Sequence, residues 1–153
     1  MKRDPALAPL THDHHHALVH ARRLRLAAAG EASEREAATR AFVAFFDAET
    51  VTHFREEEEL LLPLIVEAAG TVPALVERVL LDHVEIHTLL LGLRRGLAQG
   101  IALAGPMGDV ARRLEAHIRL EEREVFPLAE QTVAHEALAG LHFTPRHRGP
   151  PDR

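Results

Sequence analysis

The chain has 153 residues and a formal net charge of −5, a length that suits one domain with its own core. Cys is absent, which excludes disulfides, zinc ribbons, iron–sulfur clusters and thiol catalysis. The acidic balance argues against a nucleic-acid partner, no stretch reaches the roughly eighteen apolar residues of a membrane span, and the N-terminus has no apolar leader segment, so the expectation is a cytoplasmic protein with no nucleic-acid or membrane partner.

Residues 1–9 hold two Pro and no periodic pattern, and are expected to form an extended arm. From Pro9 onward Leu10, His14, Ala17, Leu18, Ala21, Leu24 and Ala28 recur at helical spacing, which predicts a first helix ending at Gly30. Its inward stripe passes through His14. His15, about 100° further round the helix and beside a stripe that meets Arg22, is the alternative. His12, His16 and His20 form a separate i, i+4 row, read as solvated.

Ser33 followed by Glu36 reads as a capping box opening a second helix. Phe42, Phe45, Phe46, Leu60, Leu61 and Leu64 carry its apolar pattern to Ala69, and Gly70 ends it. Thr71 and Pro73 introduce a third helix, with Leu75, Val79, Leu80, His83, Ile86, His87, Leu90 and Leu93 on one face. Gln99 to Gly108, with three Gly and a Pro, reads as a loop. Asp109 is the expected N-cap of a fourth helix through Val110, Leu114, His117, Ile118, Glu121 and Val125 to a kink at Pro127, with a possible extension to Leu138. After Gly140 the Pro- and Arg-rich tail reads as disordered, and His135, His142 and His147 receive no role. Four amphipathic helices joined by short connections predict an all-α, up-down-up-down four-helix bundle. It forms a single domain over 1–153, with the bundle at about 9–139 and a tail at 141–153.

One repeat organises this bundle. HFREEEELLLP at residues 53–63 recurs as HIRLEEREVFP at 117–127, preserving the His, a Glu four residues on, a further Glu and the Pro. Side chains at i and i+4 of a helix lie on one face about 6 Å apart, so His53 with Glu57, and His117 with Glu121, can each converge on one point. Each predicted helix brings ionisable groups to its apolar face: His14; His53 and Glu57; His83 and His87; His117 and Glu121. Burying seven such groups without compensation costs several kcal/mol apiece, which a metal centre inside the bundle removes. Imidazole and carboxylate without thiolate admit iron, manganese, zinc or copper. Two metals with a vacant position can take up O2, one electron from each, which points to iron.

At these residues the chain resembles the hemerythrin-like family of cation-binding bundles, the HHE domains. The family pattern of a first-helix His, a second-helix HxxxE, a third-helix His and a fourth-helix HxxxE is matched by His14, His53 with Glu57, His83, and His117 with Glu121, while His87 resembles the second third-helix His of the oxygen-binding hemerythrins. The resemblance covers about residues 10–131. It implies two iron ions with an oxo or hydroxo bridge, for which zinc or manganese can substitute. Oxygen carriers of the family place the fourth-helix carboxylate five residues after the His, so Glu122 stands as the alternative to Glu121, which is preferred by symmetry with Glu57. The expected small ligand is O2, NO, peroxide or iron itself. The expected role is binding or sensing, with an enzyme that decomposes peroxide, oxidises Fe(II) or acts in nitrosative or oxidative stress repair as the alternative. Glu56, Glu58 and Glu122 are read as surface charges that can alternatively relay protons.

Overall fold

The computed structural model describes residues 3–145, and among these every regular element is helical. Four long helices form an up-down-up-down bundle. The first is Ala8–Ala27. The second runs over 32–69 as Ala32–Phe45, Val51–Glu56 and Leu62–Ala69, joined by π turns at Phe46–Thr50 and Glu57–Leu61. The third is Ala74–Ala98. The fourth joins Ala104–Leu120 to Phe126–Thr132 through a π turn at Glu121–Val125. Each helix packs against its neighbours in the chain, and the first closes the ring against the fourth.

Several boundaries differ from the sequence reading. The N-terminal arm is not extended: Asp4 caps a short 3-10 turn, Pro5–Leu7, that runs into the first helix, and Leu7 is fully buried. The capping box of the second helix is Glu31 with Glu34, each side chain accepting from the other residue's backbone N–H, two residues before the expected Ser33 and Glu36. The fourth helix starts at Ala104 rather than Asp109, with Pro106 in its first turn, where the missing N–H costs no helical bond. The first helix closes at Ala27. Gly70 ends the second helix as expected, its φ of 69° being the left-handed conformation in which a side chain is strained.

Pro63 and Pro127 do not end their helices. A Pro lacks a donor and its ring crowds the carbonyl four residues back. The backbone widens by one residue to accommodate it, so that Leu62 N–H reaches the Glu57 carbonyl and Phe126 N–H reaches that of Glu121. Both π turns therefore begin at the second charged residue of the HxxxE repeat, a place where such turns commonly mark function.

The interior divides into two apolar clusters. One is built on Ala17, Phe42, Phe46, Phe54, Ile86, Leu114 and Ile118, the other on Leu7, Leu10, Leu61, Ile65, Val79, Val125 and Phe126. Between them lies a polar layer: His14, His53, Glu57, His83, His117 and Glu121 are all buried. On the third helix the inward face is Val79, His83, Ile86, Leu90 and Leu93, whereas Leu80 and His87, placed on that face by the sequence, are exposed. Val133 breaks the chain into extended backbone, and a last turn, His135–Ala139, follows. Of the C-terminal tail, residues 141–145 are described, with Thr144 N–H donating to Glu56 Oε1. His147 and the rest of the tail lie outside the described residues.

Candidate metal centre

Each of the four helices contributes one imidazole, and the second and fourth each add a carboxylate one helical turn on. The donor atoms form two groups: His14, His53, Glu57 and Glu121, and Glu57, His83, His117 and Glu121, the atoms of each group lying within 4.8 Å of one another. Both carboxylates belong to both groups because each turns one oxygen to each side. Glu57 Oε1 is 3.2 Å from His53 Nε2, while its Oε2 is 3.5 Å from His83 Nε2. Glu121 Oε2 is 3.1 Å from His14 Nε2, while its Oε1 is 3.2 Å from His117 Nε2. His14 Nε2 and His53 Nε2 are 3.1 Å apart.

The outward nitrogen of every imidazole faces a further carboxylate. His14 Nδ1 is 2.7 Å from Glu122 Oε1, His53 Nδ1 3.1 Å from Asp13 Oδ2, and His83 Nδ1 2.7 Å from Glu58 Oε1. His117 Nδ1 lies 3.5 Å from Asp82 Oδ2, at the long limit of such a contact. With the proton held on Nδ1, the Nε2 lone pairs of His14, His53 and His83 point inward, the arrangement that fixes ligating imidazoles in metal sites, while His117 Nδ1 makes no hydrogen bond. The acids are anchored in turn: Glu122 accepts from Thr11 and Arg3, and Asp82 from Arg78 and Arg113. Phe126 stacks on the His14 ring and Phe54 on that of His83, the latter at 3.8 Å between centroids.

The donor set fits a pair of cations. Glu57 Oε1 and Oε2, His83 Nε2, His117 Nε2 and Glu121 Oε2 are buried without a hydrogen-bond partner, a cost of about 1–3 kcal/mol each unless something satisfies them. A metal–donor bond of about 2.1 Å places neighbouring octahedral donors about 3.0 Å apart, close to the 3.1 and 3.2 Å spacings of this cluster. In the metal-free chain protons take the place of the cations. Burial opposes charge on His53, but Glu57 and Asp13 outweigh it and raise the imidazole to about 10. Burial is likewise overcome at His117, raised to about 9 by Glu121 and Asp82, and at His14, raised by Glu121 and Glu122. Glu57 and Glu121 are held below the ordinary carboxylate range against burial, by His53 and His83 for the first and by His117 and His14 for the second.

A narrow cleft reaches this layer. Its walls include the apolar Ala17, Phe45, Phe54, Leu114 and Ile118 together with Asp13, Glu49 and Thr50, and it meets His14, His53, His117 and Glu121.

Of the seven ligands expected from the sequence, the structure brings six together. His87 stands apart: one turn beyond His83, its exposed ring lies edge-on to Phe46 and Phe54, which occupy the space between it and the bundle interior. His15 is exposed and His14 buried, so the first helix presents His14. Glu121 faces the imidazoles from inside while Glu122 stands behind His14. Glu58 and Glu122 are therefore not bare surface charges. The supporting roles of Asp13 and Asp82 were missed, although a signal existed: the dipeptide Asp-His occurs at 13–14 and again at 82–83, each on the helix before one copy of the HxxxEE repeat.

A helical bundle with a buried His/carboxylate layer, two of whose carboxylates are shared by both donor groups, defines a class of cation-binding protein. The sequence matches the Hemerythrin HHE cation binding domain over residues 6–129, and the chain belongs to that family. No curated protein and no solved structure gives a match. The two overlapping groups are consistent with a binuclear metal site. No helix among the described residues is long and apolar enough to cross a membrane.

Proposed function

We propose that the chain holds two iron ions in its bundle core and uses them to bind or sense O2, NO or iron itself. The observation that carries this reading is the sharing of Glu57 and Glu121 between two imidazole pairs. Four protein donors per ion would leave a metal held there with a position for a small ligand. Imidazole and carboxylate suit iron, with zinc and manganese as substitutes. When bound, ferrous iron supplies the redox chemistry, one electron per ion to a diatomic ligand.

The residues divide the remaining work. Asp13, Glu58 and Glu122 hold the Nδ1 protons of His53, His83 and His14 and so keep their Nε2 lone pairs turned inward, and Asp82 sets its charge behind His117 at 3.5 Å. Ala17, Phe54, Leu114 and Ile118 line part of the approach with apolar surface, which suits a diatomic molecule. Asp13 and Glu49 in the same lining can carry protons, and this supports a second reading as an enzyme that decomposes peroxide, oxidises Fe(II) or acts in nitrosative or oxidative stress repair.

Reduction of the iron-loaded protein without oxygen, exposure to O2 and then degassing separates the two. A spectrum that forms and reverses supports binding. Consumption of many equivalents of peroxide or Fe(II), with no reversible spectrum, contradicts it in favour of the enzyme.

A further inference from the structure

The outward face of the third helix carries an apolar stripe that its own bundle leaves uncovered. Leu81 is 61% exposed, Val84 63%, Leu91 45% and Leu80 40%. The other exposed large apolar residues, such as Val19, Leu26, Val72 and Ile101, are spread over other helices and connections, as on most soluble proteins. Those of the third helix instead fall in line. Glu77, Leu81, Val84, Thr88, Leu91 and Arg95 are spaced alternately by four and three residues, the a and d positions of a coiled coil. The helix thus has two apolar stripes: one through Val79, Ile86 and Leu93 fills the bundle, and the other faces out.

We propose that this second stripe is the interface of a homodimer, in which the third helices of two copies pair antiparallel about a two-fold axis level with Ile86. The order of residues along the stripe specifies both direction and register. With the axis at that level, Leu81 meets Leu91 of the second copy, Val84 meets Thr88, and Glu77 meets Arg95. The symmetry repeats each contact once. Every apolar side chain is covered and each end of the seam closes on an opposite-charge pair. A parallel pairing places Glu77 against Glu77 and Arg95 against Arg95. An antiparallel pairing slipped by one turn puts a charged end against the leucines.

Neighbouring positions fit the same register. Leu80 falls opposite Gly92, where an added side-chain atom meets nothing within 4 Å in its own chain, so the second copy's leucine has space. Glu85, beside the axis, is already engaged by Arg113 of its own chain, and Arg94 by Asp47. Glu77 and Arg95 are exposed at the two ends of the stripe. The central Thr88 and the charged ends suit a second copy of this stripe rather than a lipid surface.

Sedimentation velocity on the full chain tests the proposal. Wild type is expected to be a dimer at roughly tens of micromolar, and Leu81→Glu with Leu91→Glu a monomer of unchanged helical circular dichroism and metal content. Glu77→Arg or Arg95→Glu alone is expected to raise the dissociation constant about tenfold, since each disrupts two symmetry-related pairs, and the two together to restore it. Because the chain has no Cys, Val84→Cys with Thr88→Cys is expected to form a disulfide-linked dimer on mild oxidation, while Leu26→Cys is not. A monomeric wild type, a dimer unaffected by the two Glu substitutions, or failure of the charge swap to restore affinity overturns the proposal.

Discussion

Replacing Asp13 by Asn removes one negative charge from behind His53 and leaves the shape of the site intact. Asp13 Oδ2 lies 3.1 Å from His53 Nδ1, and its side chain is only 12% exposed. Loss of a carboxylate behind a ligating imidazole costs about tenfold to a hundredfold in metal affinity, equivalent to about 1.4–2.8 kcal/mol. Glu58 behind His83 offers an internal comparison, with a shorter contact of 2.7 Å but a side chain 41% exposed. The difference in distance alters the Coulomb energy by only about one-seventh, whereas solvent screens the more exposed Glu58 further. Burial therefore decides, and Asp13→Asn is expected to weaken binding more than Glu58→Gln. The assay is an anaerobic titration of the metal-free protein with Fe(II) against a chromophoric chelator, resolving two constants per chain. Asp13→Asn should weaken one constant about tenfold or more and leave the other within about threefold, because His83, His117 and both bridging carboxylates are untouched. Neither constant changing, or both falling alike, refutes the division of the layer into two halves.

The other predictions follow from the same geometry. His53→Ala or Glu57→Ala should lower metal content per chain by elemental analysis, whereas His12→Ala and His87→Ala should leave it unchanged, since neither of those side chains belongs to a donor group. Phe54→Ala, which removes a ring 2% exposed that stacks on His83, should cost about 3–5 kcal/mol in denaturant unfolding. The pH dependence has a definite sign. His53 and His117 are raised above their ordinary 6.5 to about 10 and about 9, so their contribution to the metal-free fold is complete below 6.5 and is lost as pH climbs through those values. Glu57 and Glu121 are lowered, so their contribution is present above the ordinary 4.5 and is lost as pH falls through their folded values. The thermal midpoint of the metal-free chain should accordingly fall as pH rises from about 6.5 to about 10. Metal loading at neutral pH should release protons from both imidazoles, measured by calorimetry in buffers of different ionisation enthalpy.

Legibility varied with the kind of signal. The HxxxE repeat and the helical period pointed to four helices and to six ionisable side chains that face the interior, because both follow from the fixed geometry of a turn. His14 could not be separated from His15 by periodicity, since a step of 100° leaves two neighbouring positions near the stripe; packing against Phe126 and Glu122 selects His14. His87 misled because a one-turn spacing from His83 brings it onto nearly the same face, while Phe46 and Phe54, distant in sequence, take up the space in front of it. The sequence pattern runs the second helix past Pro63 to Ala69 and kinks the fourth at Pro127, and the π turns that absorb both prolines are a tertiary accommodation that local pattern does not specify. Asp13 and Asp82 act across a helix interface, so only their shared place before a His, on the helix preceding each copy of the repeat, betrays them.

Elemental analysis of untagged protein from iron-replete cells, with optical spectra before and after anaerobic reduction, tests the central claim most directly. The account predicts about two iron ions per chain, near one for each shared His/carboxylate group, and near-ultraviolet bands that bleach on reduction and return in air. A chain that carries no metal, or a single ion with no redox response, contradicts it.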